Sequence, residues 1–241
     1  MILIMPMAGR GSRFTKFGES IPKPFILVNG KHMFARSISS VSEGSYTKVI
    51  FILLKEHYMQ FDFENLLAQY KITKYEIVCL DEVTEGQLCT VNAASHLINK
   101  QEDILIIACD TYIDSDVILD IKSKPLECDG IISVIEKDGN NWSFAKFDDN
   151  NNVLEVAEKN RISEYASTGI YYFTLGRDFC EFAAKVIEKN ERVAGEFYVM
   201  LVYKYMLDIG KTLKVSFATK MWDMGNPEAK LIYESYLNNQ K

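Results

Sequence analysis

Apolar and polar positions alternate between two periods along the first two thirds of the chain. Ile2–Met7, Val49–Leu54, Glu76–Leu80 and Ile104–Cys109 are short apolar runs, mostly rich in β-branched residues. Such runs predict strands buried on both faces. Between them lie stretches with helical spacing. Met33–Val41 carries Met33, Phe34, Ile38 and Val41; His57–Tyr70 carries Phe61, Phe63, Leu66 and Leu67; Gly86–Ile98 carries Leu88, Val91, Ala94 and Leu97. Strand–helix–strand alternation predicts right-handed crossovers and an α/β fold, a Rossmann-like, doubly wound, mostly parallel sheet. In such sheets ligands bind beyond the carboxyl ends of the strands, so the loops after Met7, Leu80 and Cys109 are the candidates for a site.

After about Asp129 the pattern changes. Gly130–Ile135, Ser143–Phe147, Val153–Glu158 and Gly169–Phe173 are strand-like and joined by turn-rich segments such as Asp138-Gly139-Asn140-Asn141. Helical patterns follow at about Arg177–Lys189 and Glu196–Leu207, then a strand at Leu213–Phe217 and a final helix from Pro227. No internal repeat and no linker rich in proline or glycine interrupts the chain. The expectation is one domain over 1–241, with a first part at about 1–128 and a smaller β-rich extension at about 129–241.

Composition narrows the classes. At 48% apolar and 25% charged residues, the 241-residue chain has the balance of an ordinary globular protein. A formal net charge of −6 argues against a general nucleic-acid binder, yet leaves room for a local basic cluster. The apolar runs are far short of the ~20 residues that span a bilayer, so no membrane association is expected. No basic segment precedes the first apolar residues and no small-residue cleavage site follows, so no signal peptide is expected either. Cys79, Cys89, Cys109, Cys128 and Cys180 are scattered without C-x-x-C spacing, which indicates neither a zinc site nor a disulfide framework. A reducing cytoplasm is the natural compartment.

The most informative segment is Met7-Ala8-Gly9-Arg10-Gly11-Ser12-Arg13-Phe14, followed by Pro22-Lys23-Pro24. Two glycines one residue apart after a buried strand let the backbone turn sharply and bring its N–H groups close to a ligand. Arg13 can make two-point hydrogen bonds to phosphate, and Lys23 adds a point charge aimed by its flanking prolines. A dinucleotide fingerprint fails because Phe14 stands where a third glycine is needed, and Gly210-Lys211-Thr212 lacks the upstream glycine of a Walker loop. The competing reading is a structural turn with solvated basic residues.

Gly9-x-Gly11-Ser12-Arg13-Phe14 with Pro22-Lys23-Pro24 resembles the signature of the sugar-phosphate nucleotidyltransferases, the nucleoside-diphosphate-sugar pyrophosphorylases. The similarity is greatest to the glucose-1-phosphate thymidylyltransferase type and its short capsule- and lipopolysaccharide-pathway relatives, and it covers nearly the whole chain. The resemblance implies the nucleotide-diphospho-sugar transferase type of α/β fold, with nucleotide held in the first part and acceptor in the second. It implies Arg13 and Lys23 as catalytic residues, and Ala8, Gly9, Gly11, Ser12, Arg13, Lys23, Gly86 and Asp110 as nucleotide-binding. Asp110, at the end of a buried strand, and Asp223, in Trp222-Asp223-Met224-Gly225-Asn226-Pro227, are the implied Mg2+ ligands. Helix capping competes for Asp223, although Asn226 before Pro227 fits that role better. Glu158, Lys159, Thr168, Gly169 and Glu196 are the implied acceptor-binding residues. The family usually has a glycine where Trp142 or Ser143 stands, so the acceptor can differ from glucose 1-phosphate. A surface ion pair is the competing reading of Glu158 and Lys159.

The implied partners are a nucleoside triphosphate, with CTP, UTP or dTTP favoured, and a phosphorylated small-molecule acceptor, in a monomer or homodimer. The implied reaction needs no general base, since a phosphate monoester with a second pKa of about 6 is mostly the dianion near pH 7. Asp114-Ser115-Asp116 keeps a GT-A-type glycosyltransferase in view, because an Asp-x-Asp motif marks many such enzymes. Here it is read as the start of the helix Val117–Lys122. A catalytically inactive nucleotide-binding regulatory protein is the third class. His32, His57 and His96 have no metal-ligand spacing and no nearby nucleophile. The last recognisable motif ends at Pro227, so no appended β-helix or acetyltransferase domain is expected.

Overall fold

The computed structural model describes residues 1–9 and 11–240. In chain order these form β1 (Ile2–Pro6), the short helix α1 (Ser12–Thr15), a 3-10 turn (Lys23–Phe25), a hairpin of β2 (Leu27–Val28) and β3 (Lys31–His32), α2 (Met33–Ile38), β4 (Lys48–Leu54), α3 (Lys55–Gln60), α4 (Phe63–Gln69) and β5 (Tyr75–Leu80). Then come α5 (Gln87–Asn92), α6 (Ser95–Ile98), β6 (Ile104–Ile107), β7 (Thr111–Ser115), α7 (Val117–Ser123), β8 (Cys128–Glu136), β9 (Ser143–Phe147), β10 (Val153–Glu158) and β11 (Tyr165–Phe173). The chain closes with α8 (Gly176–Glu188), α9 (Met200–Asp208), β12 (Thr212–Asp223) and α10 (Pro227–Asn238). Arg10 lies outside the described residues, as does the side chain of Ser12.

The main sheet has the order β5-β4-β1-β6-β11-β8-β12-β7, and β9 links β11 to β10. β5, β4, β1 and β6 are mutually parallel, as the apolar runs predict. β11 enters antiparallel between β6 and β8, and β12 runs parallel to β8. Within the sheet, β7, β10 and β11 run against the other strands. The expected α/β, mostly parallel architecture is therefore present.

Strand alternation builds two core layers. Ile2, Ile4, Ile50, Ile52, Ile104 and Ile106 face one side, where α5, α8 and α9 cover them. Leu3, Met5, Val49, Phe51, Leu53 and Leu105 face the other, under α2, α4 and α7. A strand buried on both faces has no polar side to show in its sequence, which is why these runs are continuously apolar. A smaller cluster of Phe14, Ile26, Val28, Met33, Met224 and Tyr233 ties the first loop to α10.

Four expected features differ most from those observed. The helix expected over His57–Tyr70 is two, broken at Asp62, whose φ of 43° is left-handed. The one expected over Gly86–Ile98 is also two; at the break the Ala94 N–H donates to the carbonyl of Val91, three residues back, at 3.0 Å. The last expected strand, Leu213–Phe217, extends to Asp223 because an unforeseen strand, β7, pairs with its second half. Asp114 and Ser115 belong to β7, so only Asp116 adjoins α7, which corrects the expected helix start.

Candidate active site

Two carboxylates meet at the carboxyl end of β6. Asp110 follows β6 and immediately precedes β7; Asp223 is the last residue of β12 and pairs in register with Thr111. That register, with the Met224 N–H donating to the Asp110 carbonyl at 2.7 Å, brings together residues 113 positions apart in sequence. The Gly225 N–H donates to Asp223 Oδ1 at 2.8 Å. A Cβ on Gly225 would stand 2.9 Å from both Asp110 Oδ2 and Asp223 Oδ1, and 3.5 Å from Arg13 Nη1. Two carboxylates and a guanidinium thus face one point that Gly225 leaves free of side chain.

Lys23 reaches the same point from the 3-10 turn. Pro22 and Pro24 bracket it with φ values preset for the turn. Its Nζ lies 2.6 Å from Asp110 Oδ2. Burial is the largest single influence on both and opposes both charges, but the charge and hydrogen-bond contacts around each together outweigh it. Asp110 is held below the usual carboxylate range by Lys23 and Arg13, and Lys23 is held above the usual lysine range by Asp110. Asp223 is pushed the other way, by burial first and then by the neighbouring Asp110 charge. Burial lifts the adjacent Cys109 thiol to about 12, so it is no thiolate nucleophile. Gly11, with φ of +61°, lets the first loop turn against Lys23, whose Cβ would be 3.3 Å from a Cβ there. At Gly9 no atom of the described residues beyond its chain neighbours lies within 4 Å of a Cβ position. Lys16 is exposed beyond α1.

A second group of the expected residues lies on β9, β10, β11 and the turn before α9. Glu158 ends β10 and is buried, and its carboxylate accepts from the Ser143 hydroxyl. Burial raises its pKa. The Lys159 ammonium contacts the Tyr198 hydroxyl, which donates to Glu196 Oε2 at 2.6 Å. Lys159 also lies over the Tyr198 ring, 4.7 Å from its centroid. The chain of Lys159, Tyr198 and Glu196 replaces the surface ion pair that competed for Glu158 and Lys159. Thr168 and Gly169 sit where β11 slips register against β8 between Ser167 and Tyr171. The Thr168 hydroxyl is buried without a hydrogen-bond partner among the described residues. The Arg13 charge acts on Asp110 and Asp223 and, as the weakest of several influences, on Tyr198, so the second group lies within its electrostatic reach.

Gly86 joins the expected loop after Leu80 to the second group. Its φ is 141°, and a Cβ there would fall 2.5 Å from the Phe197 amide nitrogen and closer still to its carbonyl oxygen. The Phe197 N–H donates to the Glu85 carbonyl at 3.0 Å, and its carbonyl accepts from Leu88 N–H at 3.1 Å. Only glycine allows this backbone-to-backbone approach. Arg192 pairs with Glu85 at 2.7 Å, which fastens the same two segments from outside.

Other motifs fall away from the site. Asn226 Oδ1 accepts from Ala229 N–H at 2.9 Å and caps α10, leaving Asp223 free of that role. Lys211 pairs with Asp129 and Asp178. The Asp114 carbonyl accepts from the Thr219 hydroxyl within the β7–β12 pair. His32 bonds to Tyr70, His57 sits in α3 and His96 is exposed. Sequence reasoning missed Tyr198 and Gly225. Tyr198 stands two residues after Glu196, but only the folded chain shows its hydroxyl between two charged groups.

The pair of aspartates fits magnesium, which takes one or two carboxylates and completes its shell with phosphate oxygens and water. Among the described residues no group of three or more His, Cys, Asp and Glu side chains could hold a metal by itself. A cation between Asp110 and Asp223 would therefore need further ligands from substrate or water.

An α/β sheet with a basic loop after β1 and paired carboxylates beyond β6 defines the class, and residues 2–238 match the family model described as nucleotidyl transferase. The chain belongs to that family. It is 25% identical over 177 residues to the bifunctional protein GlmU of Methanococcus aeolicus, a match covering 72% of this chain and 40% of that protein. The chain thus spans well under half of that relative. A nucleoside-diphosphate-sugar pyrophosphorylase from Vibrio cholerae RC9 superposes with a TM-score of 0.84 at 27% identity, covering 98% of this chain and 100% of that one. The inositol-1-phosphate CTP transferase from T. maritima shares the fold, with a TM-score of 0.78 at 14% identity over 97% of this chain and 93% of that one.

Proposed function

We propose that this chain is a magnesium-dependent nucleotidyltransferase, one domain over 1–241. It moves a nucleoside monophosphate from a nucleoside triphosphate to a sugar phosphate or similar small phosphorylated acceptor and releases pyrophosphate. The observation that carries this reading is the convergence of Arg13, Lys23, Asp110 and Asp223 on the point beside Gly225. The Glu158–Lys159–Glu196 group, whose Tyr198 lies within electrostatic reach of Arg13, is the acceptor side.

In this reading an oxygen of the acceptor's phosphate attacks the α-phosphorus of the triphosphate. The new bond joins that oxygen to the α-phosphorus, and the bond from the α-phosphorus to the leaving pyrophosphate oxygen breaks. No base is required of the protein, because the attacking phosphate is already largely ionised near neutral pH. The obstacle is repulsion between two polyanions, and preorganised cations reduce it. Lys159 holds the acceptor phosphate. Arg13 and Lys23 bind the triphosphate and stabilise charge on departing pyrophosphate, with the open backbone of Ala8, Gly9, Gly11 and Ser12 around them and Gly86 against the base. Magnesium between Asp110 and Asp223 would supply further charge neutralisation at the phosphates. Glu158, Thr168, Gly169 and Glu196 orient the acceptor body.

CTP, UTP or dTTP is the favoured donor, in line with the CTP transferase among the structural relatives. A cytoplasmic role in capsule or other surface-polysaccharide synthesis follows from the family resemblance, and no helix among the described residues is long and apolar enough to cross a membrane. Mass spectrometry tests the reading. Each of the four common triphosphates is incubated with hexose, heptose and non-sugar phosphates, and a nucleoside-diphospho product is sought. Products formed only from a preformed nucleotide-sugar would instead indicate a glycosyltransferase.

A further inference from the structure

A cavity of about 470 Å³ lies at the other end of the sheet from that site. Its walls are α2, the loop before β4 and the turn before β5, so it opens at the amino ends of the strands, whereas the site above lies at their carboxyl ends. The floor is apolar, made by Ala35, Ile38 and Val41. Tyr46, Tyr70 and three lysines, the part-buried Lys31 and the exposed Lys71 and Lys74, line it, with Glu43 the one acidic residue among the lining. None of the three lysines forms an ion pair among the described residues. Lys31 is partly buried with its ammonium 5.8 Å from the centre of the Tyr70 ring. In a chain of net charge −6, this is a local surplus of positive charge beside an apolar floor.

We propose that this pocket is a second ligand site, which takes a small organic phosphate with an aromatic or apolar body. The volume is that of a small-molecule site. The apolar floor and the tyrosines receive the body, and the lysines receive a multiply charged head, for which ammonium groups act as point charges. Occupancy has a direct structural route to the catalytic end. α2 lines the pocket with Ala35 and Ile38, while Ser37 of the same helix accepts from Thr111 N–H at 3.1 Å. Ser40, just beyond α2, accepts from Ile113 N–H at 2.8 Å. Thr111 is the residue after Asp110.

The test uses 1-naphthyl phosphate, followed by its own fluorescence at low ionic strength, where exposed charge is least screened. Wild type should bind it. Lys71→Glu/Lys74→Glu should weaken binding by roughly tenfold or more, since charge-assisted contacts are lost and reversed. Lys159→Ala, which alters the other end of the molecule, should leave the affinity unchanged. 1-Naphthol, without the phosphate, should bind wild type at least roughly tenfold more weakly. Binding unaffected by Lys71→Glu/Lys74→Glu, or abolished by Lys159→Ala, would overturn the proposal, as would 1-naphthol binding equal to that of the phosphate. None of these outcomes depends on turnover, so the pocket stands or falls separately from the catalytic reading.

Discussion

Lys23 Nζ lies 2.6 Å from Asp110 Oδ2, and both side chains are largely buried. This contact places a cation where the proposed magnesium would also bind a carboxylate. Removing one partner of a buried pair leaves an uncompensated charge, which costs about 3 kcal/mol or more. Lys23→Ala should therefore lower the urea midpoint of the metal-free protein. Added magnesium should recover part of that loss by replacing the ammonium at Asp110. Turnover should fall by roughly 10²–10³, as for other preorganised charge stabilisers. A magnesium-independent stability deficit would separate Lys23 from the metal.

Asp223 behaves differently from its partner. Burial and the Asp110 charge both disfavour its ionised form. Asp223→Asn should raise the stability of the free protein in urea while removing turnover. Asn226→Ala should do the reverse, losing about 1 kcal/mol with the α10 cap and leaving turnover nearly intact. If Asp223→Asn retained activity, the carboxylate would not be a metal ligand.

Gly9 and Gly86 should separate in the same way. Gly86→Ala drives a Cβ into the Phe197 backbone and should destabilise by more than about 1 kcal/mol. Gly9→Ala meets no described residue beyond its chain neighbours within 4 Å and should leave the urea midpoint unchanged. Its effect should appear in the KM for the triphosphate, because the added methyl occupies the space the ligand approaches.

Glu158 carries a pH signature. Burial raises its folded pKa above the unfolded value. Its contribution to stability is fully present below the unfolded carboxylate value and is lost as pH rises through the folded one. Glu158→Gln should thus stabilise the protein at pH 7, with the gain vanishing near pH 4. The same variant should raise KM for the acceptor more than it lowers kcat. Urea denaturation at the two pH values checks the first statement, and steady-state kinetics checks the second.

The parts of the fold that local pattern can express were legible in the sequence. Continuous apolar runs marked β1, β4, β5 and β6, and the carboxylate ending one such run pointed to Asp110. What local pattern cannot express was not legible. Lys220-Met221-Trp222-Asp223 has no clean alternation, so the half of β12 that delivers Asp223 depends on β7 for its identity. Asp62 takes a left-handed conformation without a glycine or proline to announce it. Tyr198 gains its place only when the turn at Val193–Glu196 folds it onto Lys159, which follows β10.

Magnesium-dependent release of pyrophosphate is the most direct measure of the central claim. Wild-type protein should release pyrophosphate from a nucleoside triphosphate only when magnesium and a phosphorylated acceptor are both present. Asp110→Asn should lower that rate by roughly 10²-fold or more. Undiminished release by Asp110→Asn, or no release by wild type with any triphosphate and acceptor pair, would contradict the account.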